Sequence, residues 1–337
     1  MEARYYKNVG DSTVRCILCP HQCSVEPGQK GICGVRVNRE GKLVTEVYGV
    51  ISGFGLDPVE KKPLYHFYPG YNILSAGSYG CNLSCVFCQN HSISQVTDLD
   101  GIPKGKVATP DQLVSRAKKA INNVGIAFTY NEPTVWFEFM YDTALLARKN
   151  RMRTAMITNG YINPDPLKEL LEVIDAFNID LKSYDDSFYR NQSMATLKPV
   201  LRSILKIHRS GRHLELTMLI IPNLNDSITM FRDCVKWIAE NCGRDTVLHL
   251  SRYFPRYRST IPATPRAKLN ELYSIALEYL NFVYLGNIDG ETGQNTVCPD
   301  CGSLITERAG YLTININSDD QGKCTSCGRN IFNYFTF

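Results

Sequence analysis

From residue 73 onward the chain alternates between short, almost unbroken apolar runs and longer stretches of helical period. The apolar runs, rich in β-branched residues, cover 73–77, 125–130, 154–158, 176–181, 214–221 and 246–250. Helical patterns lie between most of them, at 109–122, 134–149, 164–173, 196–209, 227–241 and 265–280. Pro110, Pro164 and Pro265 stand near helix starts, where a missing N–H costs little. Strands apolar on both faces and separated by helices predict a parallel sheet covered by helices. A further run at 282–287 predicts an edge strand. Alternating polar and apolar residues at 42–48 and 311–316 predict strands of small separate sheets at the two ends of the chain.

A chain of 337 residues is long enough for one large core with appendages. With 44% hydrophobic and 21% charged residues it reads as an ordinary globular protein. No apolar run approaches the roughly 20 residues a membrane helix needs, and the first residues lack a signal-peptide core, so a cytoplasmic location and no membrane partner are expected. The net charge of +4 does not by itself point to nucleic acid.

Cysteine changes the picture. Thirteen are present, in a setting where disulfides are uncommon, and all but Cys234 and Cys242 fall into three tight groups. Those two lie on an expected helix and read as core residues. Cys81, Cys85 and Cys88 follow the first apolar run at C-x3-C-x2-C spacing. Three thiolates favour an iron–sulfur cluster with one iron left open, or a structural zinc that takes a fourth ligand such as His91. Cys16, Cys19, Cys23 and Cys33 have the spacing C-x2-C-x3-C-x9-C among turn-forming glycines. Four thiolates close a site, and structural zinc is expected, although a second cluster would use the same ligands; His21 reads as a solvated turn residue. Cys298, Cys301, Cys324 and Cys327 form two C-x2-C knuckles 22 residues apart, each followed by glycine, which is a zinc-ribbon pattern.

The segment 80–90, with Phe87 before the last cysteine, resembles the signature loop of the radical S-adenosylmethionine (radical SAM) enzymes. The cysteine-rich start of the chain and the block 57–70 resemble one branch of that superfamily, the radical SAM member of the AmmeMemoRadiSam system, long described as similar to pyruvate formate-lyase activating enzymes. The resemblance implies an α/β fold: a partial (β/α)6 radical SAM barrel over 71–290, an N-terminal Cys-rich metal-binding segment and connector over 1–70, and a zinc-ribbon-like domain over 291–337. It implies a [4Fe–4S] cluster on Cys81, Cys85 and Cys88. The open iron would bind S-adenosyl-L-methionine, which one electron cleaves to a 5′-deoxyadenosyl radical.

By the same resemblance Glu132, at the end of the second strand, meets the SAM amino group, with Thr158 and Asn159 at the ribose or carboxylate and Phe87 near the adenine. Tyr130 and Asn131 replace the family's small residues there. Asp180 and Lys182 share one face of the fourth strand and form the candidate catalytic pair. His249 reads as a core histidine. The 57–70 block is expected to pack at a domain junction beside the cluster, with Lys61 or Lys62 facing an anion. Arg252 to Arg258 interleave basic and aromatic residues, as a loop that binds RNA or another anion would. The implied partners are a one-electron donor such as ferredoxin or flavodoxin and the proteins of the AmmeMemoRadiSam system. Glycyl-radical activation and a non-catalytic zinc-binding adaptor are the competing functions.

Overall fold

A computed structural model describes residues 1–96, 106–288, 290 and 292–337; the expected junction at 290/291 touches residues outside that set. The N-terminal segment carries β1 (Tyr6–Gly10), β2 (Thr13–Cys16) and β3 (Ser24–Val25) in one sheet and the hairpin β4 (Arg36–Arg39) and β5 (Lys42–Thr45) in another. After β6 (Val50–Ile51) come β7 (Gly53–Pro58), β8 (Asn72–Gly77), α1 (His91–Ser94), β9 (Lys106–Val107) and α2 (Pro110–Lys119). The alternation then runs β10 (Asn123–Phe128), α3 (Phe137–Lys149), β11 (Arg153–Thr158), α4 (Pro164–Val173), β12 (Ala176–Asp180), α5 (Asp186–Ser193), α6 (Leu197–Arg209), β13 (His213–Ile220), α7 (Ile228–Cys242), β14 (Val247–Arg252), α8 (Arg266–Leu277) and β15 (Val283–Gly286). The chain ends in an antiparallel sheet of β16 (Thr296–Val297), β17 (Leu304–Ala309) and β18 (Leu312–Asn315).

The central sheet has the order β15-β14-β13-β12-β11-β10-β8-β7 and is parallel throughout except for β7, which pairs antiparallel with β8. Its parallel strands match the six apolar runs and the expected edge strand. Large residues such as Leu74, Phe128, Met156 and Phe177 pack in one core with the helices. Their strand neighbours Ile73, Ala127, Ala155 and Ala176 point the other way, into a second cluster with Val59, Leu64, Phe67 and Tyr68. Period-two alternation therefore gives the sheet a helix-covered face and an inner face of small residues. Where strands come closest only glycine fits: a Cβ on Gly125 would sit 1.8 Å from the Arg153 carbonyl oxygen. Cys234 and Cys242 are buried in α7, as expected.

The 57–70 block departs from expectation. It does pack where the sheet meets the C-terminal residues, Tyr65 lying in one cluster with Cys298, Ile305 and Cys324, but Asp57, Glu60 and Lys62 are buried rather than solvated. Gly53–Pro58 joins the central sheet, and the residues after it lie against the sheet's inner face. Asn178 donates to the Pro63 carbonyl at 2.7 Å, and the Tyr65 and His66 amides donate to the Glu215 carboxylate at 3.0 and 2.7 Å. His213 and His249 reach the same carboxylate at 2.8 and 2.6 Å. Lys62 is buried on Asp57 at 2.7 Å, and Lys61 meets that carboxylate at 2.8 Å, so the anion both lysines face is Asp57. A hydrophobicity pattern could not show this, because the block's charges pair with one another while its buried backbone groups are answered by Asn178 and Glu215, distant in sequence.

Candidate active site at the carboxyl edge of the sheet

The loop after β8 carries Cys81, Cys85 and Cys88, and the backbone around it is held from several sides. The Ser84 and Val86 amides donate to the Ser193 and Gln192 carbonyls at the end of α5. The Arg258 amide donates to the Val86 carbonyl, and the Gln89 amide group reaches the Phe254 carbonyl at 3.3 Å. The basic, aromatic loop at 252–258 thus buttresses the cysteine loop by its backbone, while Tyr257 stacks on His91. The Leu83 amide donates toward the Cys81 sulfur at 3.3 Å, and Cys85 lies 3.2 Å from the Ser193 hydroxyl. Burial pushes the Cys81 thiol well above its usual range and raises Cys88 as well, so ionising these thiols calls for a compensating metal.

The sulfurs of Cys298, Cys301, Cys324 and Cys327 all lie within 4.8 Å of one another. There Cys298 and Cys327 are 3.5 Å apart, and Cys301 and Cys324 3.6 Å. Four sulfurs about 2.3 Å from one tetrahedral metal would be about 3.8 Å apart, so this quartet fits a single ion. The central loop offers three thiols, one short of a closed four-ligand set, with the Leu83 amide and the Ser193 hydroxyl beside them, which fits a cluster that keeps one iron open.

Glu132 follows β10 and is buried. Its carboxylate accepts from the Thr134 amide at 2.9 Å, the Thr158 hydroxyl at 2.7 Å and the Asn159 amide at 2.8 Å. It caps the short 3-10 turn Pro133–Trp136 and ties the ends of β10 and β11 together. The Thr158 hydroxyl is committed to that bond. Asn159 donates to the Asn82 side chain at 2.8 Å and lies 3.8 Å from the Cys81 sulfur, which joins the strand-end residues to the cysteine loop. Tyr130, in the left-handed region at φ 75°, turns its hydroxyl onto Asp57 at 2.8 Å.

Lys182 pairs with Asp180 at 3.3 Å, as the shared strand face predicts, and its ammonium lies 6.0 Å from the Phe87 ring centroid. Burial opposes the charge on Lys182, but Asp180 and the nearby Cys85 and Cys81 hold its pKa above the usual lysine range. Phe87 is buried, 5.8 Å from Phe188. The residues that sequence reasoning missed are Asn82, Ser193 and α5 itself. The α5 sequence is polar and lacks a helical apolar stripe; its one legible signal is the Asp185 cap, which accepts from the Ser187 amide at 2.8 Å.

A thiol triad at the carboxyl edge of a largely parallel α/β sheet, with an acidic brace and a lysine beside it, defines a class of cofactor-dependent enzyme. Residues 76–234 match the family model of the radical SAM superfamily, and the chain belongs to that superfamily. It is 43% identical over 333 residues to the uncharacterized protein MJ0808 of Methanocaldococcus jannaschii, covering 98% of each chain. It is 29% identical over 119 residues to the pyruvate formate-lyase 1-activating enzyme of Escherichia coli, spanning 33% of this chain and 46% of that enzyme. The solved structure of Streptococcus suis SuiB bound to S-adenosylmethionine shares the fold at TM-score 0.51 and 14% identity, over 68% of this chain and 54% of that one. Among the described residues no helix is long and apolar enough to cross a membrane.

Proposed function

We propose that this protein cleaves S-adenosylmethionine reductively at a [4Fe–4S] cluster on Cys81, Cys85 and Cys88, producing a 5′-deoxyadenosyl radical that takes hydrogen from a substrate. The observation that carries the reading is the thiol triad, one ligand short of a closed site, at the carboxyl edge where parallel α/β enzymes place their chemistry. When bound, the cluster supplies one electron and an open iron for the SAM amino and carboxylate groups. The chain's own residues do the positioning. Glu132 offers a buried carboxylate for the ammonium, Asn159 links that carboxylate to the cysteine loop, and Phe87 gives the adenine an apolar neighbour. Asp180 and Lys182 hold opposite charges beside the cysteines, where the substrate would approach.

The C-terminal quartet holds zinc in this reading and has a structural role. An external one-electron donor of the ferredoxin or flavodoxin type supplies the electron. The substrate is presented by, or belongs to, a partner of the AmmeMemoRadiSam system, with RNA the weaker candidate. The likeness to an activating enzyme covers too little of either chain to transfer its substrate.

The test is anaerobic reconstitution, dithionite reduction and chromatographic detection of 5′-deoxyadenosine. Product is expected even without substrate. Its absence from protein that carries a full, reducible cluster and binds SAM would overturn the proposal. A colourless protein that contains only zinc would favour the adaptor.

A further inference from the structure

We infer that the exposed loop 252–258 is the docking surface for the acidic electron-carrier protein that reduces the central site. This rests on the proposed function, whose electron comes from outside the chain, and it names the surface that receives the donor. The loop's place is the first observation. The Arg258 amide donates to the Val86 carbonyl at 3.0 Å, between Cys85 and Cys88. The Gln89 side chain donates to the Phe254 carbonyl at 3.3 Å, one residue past Cys88. These are outward residues of the cysteine loop: Gln89 and Asn90 are exposed and Cys88 is half-buried, whereas Leu83, Cys85 and Phe87 are buried. Electron tunnelling weakens steeply with distance, so a carrier docks best where the cysteine loop meets the surface. Residues 254–258 form the rim of that place.

The loop's charge has one sign. From 246 to 270 the chain has no aspartate or glutamate, and Arg252, Arg256 and Arg258 fall within seven residues. Arg256 and Arg258 are exposed, as are Phe254 at 43% and Tyr257 at 36%. Arg252 lies 4.9 Å from the Phe254 ring centroid and Arg258 5.0 Å from that of Tyr257, while His91 stacks on Tyr257 at 4.7 Å. The rings already hold cations or another ring, so they set the direction of the guanidinium groups instead of offering open faces to bases. That favours a protein bearing carboxylates over RNA. Arginine beside exposed aromatic residues is the composition of a protein–protein contact. A patch of one sign speeds encounter with a partner of the other.

The loop is also formed in advance. Tyr253 is fully buried, and its hydroxyl meets the Ser259 hydroxyl at 2.7 Å. The Tyr253 amide donates to the Thr264 hydroxyl at 3.0 Å, and the Thr264 amide donates to the Tyr253 carbonyl at 3.1 Å, closing the loop at its neck. A surface ordered before encounter loses less entropy on docking. The bonds to the cysteine loop use backbone groups of Phe254 and Arg258, which leaves the side chains of Arg256 and Arg258 for a partner. Arg252 differs, because its Nε donates to the Thr264 carbonyl at 2.9 Å. On docking, the carrier loses one electron and is oxidised by one unit. The central site gains that electron and is reduced by one unit, with no bond or proton moved.

The test uses the full-length reconstituted protein, with reduced flavodoxin as the acidic carrier and dithionite as a small reductant that needs no docking. Arg256→Glu with Arg258→Glu should lower flavodoxin-driven 5′-deoxyadenosine formation about tenfold or more and leave dithionite-driven formation unchanged. Lys118→Glu with Lys119→Glu, the same change of charge on exposed residues at the end of α2, should lower neither. Raising salt from about 0.05 M to about 0.5 M should slow the flavodoxin-driven rate of the wild type and barely touch the arginine variant. Binding is read separately, by calorimetry with oxidised flavodoxin, and should weaken about tenfold in the arginine variant. That arm stands even where no SAM is cleaved, a result that would overturn the proposed function instead. Equal flavodoxin affinity and rate in the wild type and the arginine variant would overturn the docking surface. So would loss of the dithionite-driven rate in that variant, which would make the arginine side chains part of the cysteine loop's support. Single-stranded oligouridine that binds the wild type but not the arginine variant, while flavodoxin binds neither, would overturn the carrier and assign the loop to RNA.

Discussion

The two edges of the central sheet are built from similar materials to opposite ends. At the amino edge the inward-lying 59–70 segment and the residues after 292 meet in a locked chain of buried hydrogen bonds, with Arg308 4.0 Å from Glu60. Arg308 donates to the Tyr65 carbonyl and the Thr296 hydroxyl; Thr296 meets Tyr284 at 2.7 Å, and Tyr284 meets His66 at 2.7 Å. Because the Ile331 carbonyl can only accept from His66 Nδ1, at 3.2 Å, His66 Nε2 accepts from the Tyr284 hydroxyl, which fixes a neutral tautomer. A cavity of about 500 Å³ lies at this edge, lined by His66, His213, Val247 and Phe282. At the carboxyl edge the polar groups bond to cysteines and to one another, leave Asp180 42% exposed and set the charge of Lys182 beside the thiols. The lesson is that volume alone does not separate the edges, because a second cavity of about 320 Å³ reaches Ser251 and Gly286 at the carboxyl ends of β14 and β15; charge left partly exposed beside cysteines does.

The largest effect should come from breaking the lock. Glu215→Ala leaves two histidines and two amides without their shared acceptor, and we expect a loss of about 3–5 kcal/mol in denaturant unfolding. A loss under 1 kcal/mol would show that the amino edge is not held through this carboxylate.

Acid should probe the same edge more gently. Burial pushes His66 down to about 3, so it stays neutral in the fold while the unfolded chain takes up a proton near pH 6.5. More protons on the unfolded side mean that stability falls as pH falls from 6.5 toward 3. Between pH 7 and pH 5 the expected loss is about 2 kcal/mol. His66→Gln should flatten that slope; an unchanged slope would place the acid sensitivity elsewhere.

At the carboxyl edge the readout shifts from stability to ligand. Glu132→Ala should weaken SAM binding by roughly 1.5–3 kcal/mol, the value of one charge-assisted hydrogen bond, with the cluster spectrum intact. Unchanged SAM affinity, measured by calorimetry on reconstituted protein, would make Glu132 a brace between β10 and β11 and nothing more. The smallest structural effect is expected for Lys182→Met. Its partner Asp180 is partly solvated, so unfolding free energy should change by less than about 1 kcal/mol while substrate-dependent turnover falls. A large stability loss would move Lys182 from the open edge to the locked one.

Sequence alone fixed the strands β8, β10 to β15 and the helices between most of them, because both-face burial and the 3.6 period leave a strong mark on consecutive residues. Each of the three cysteine groups was legible for the same reason: ligand spacing is local. The Asp180–Lys182 pair followed from two residues one strand period apart. What only the tertiary structure decided was everything carried by distant partners. Residues 59–70 read as a solvated junction because Asp57, Glu60, Lys61 and Lys62 look costly to bury. They lie against the inner face because Asp57 pairs with Lys61 and Lys62, while Asn178, Glu215 and Arg308, 115 to 248 positions further on, answer Pro63, Tyr65, His66 and Glu60. Likewise the three cysteine motifs give ligands but not the distances between sulfurs. For the C-terminal quartet the fold supplies them, bringing two knuckles 22 residues apart together so that all four sulfurs lie within 4.8 Å of one another.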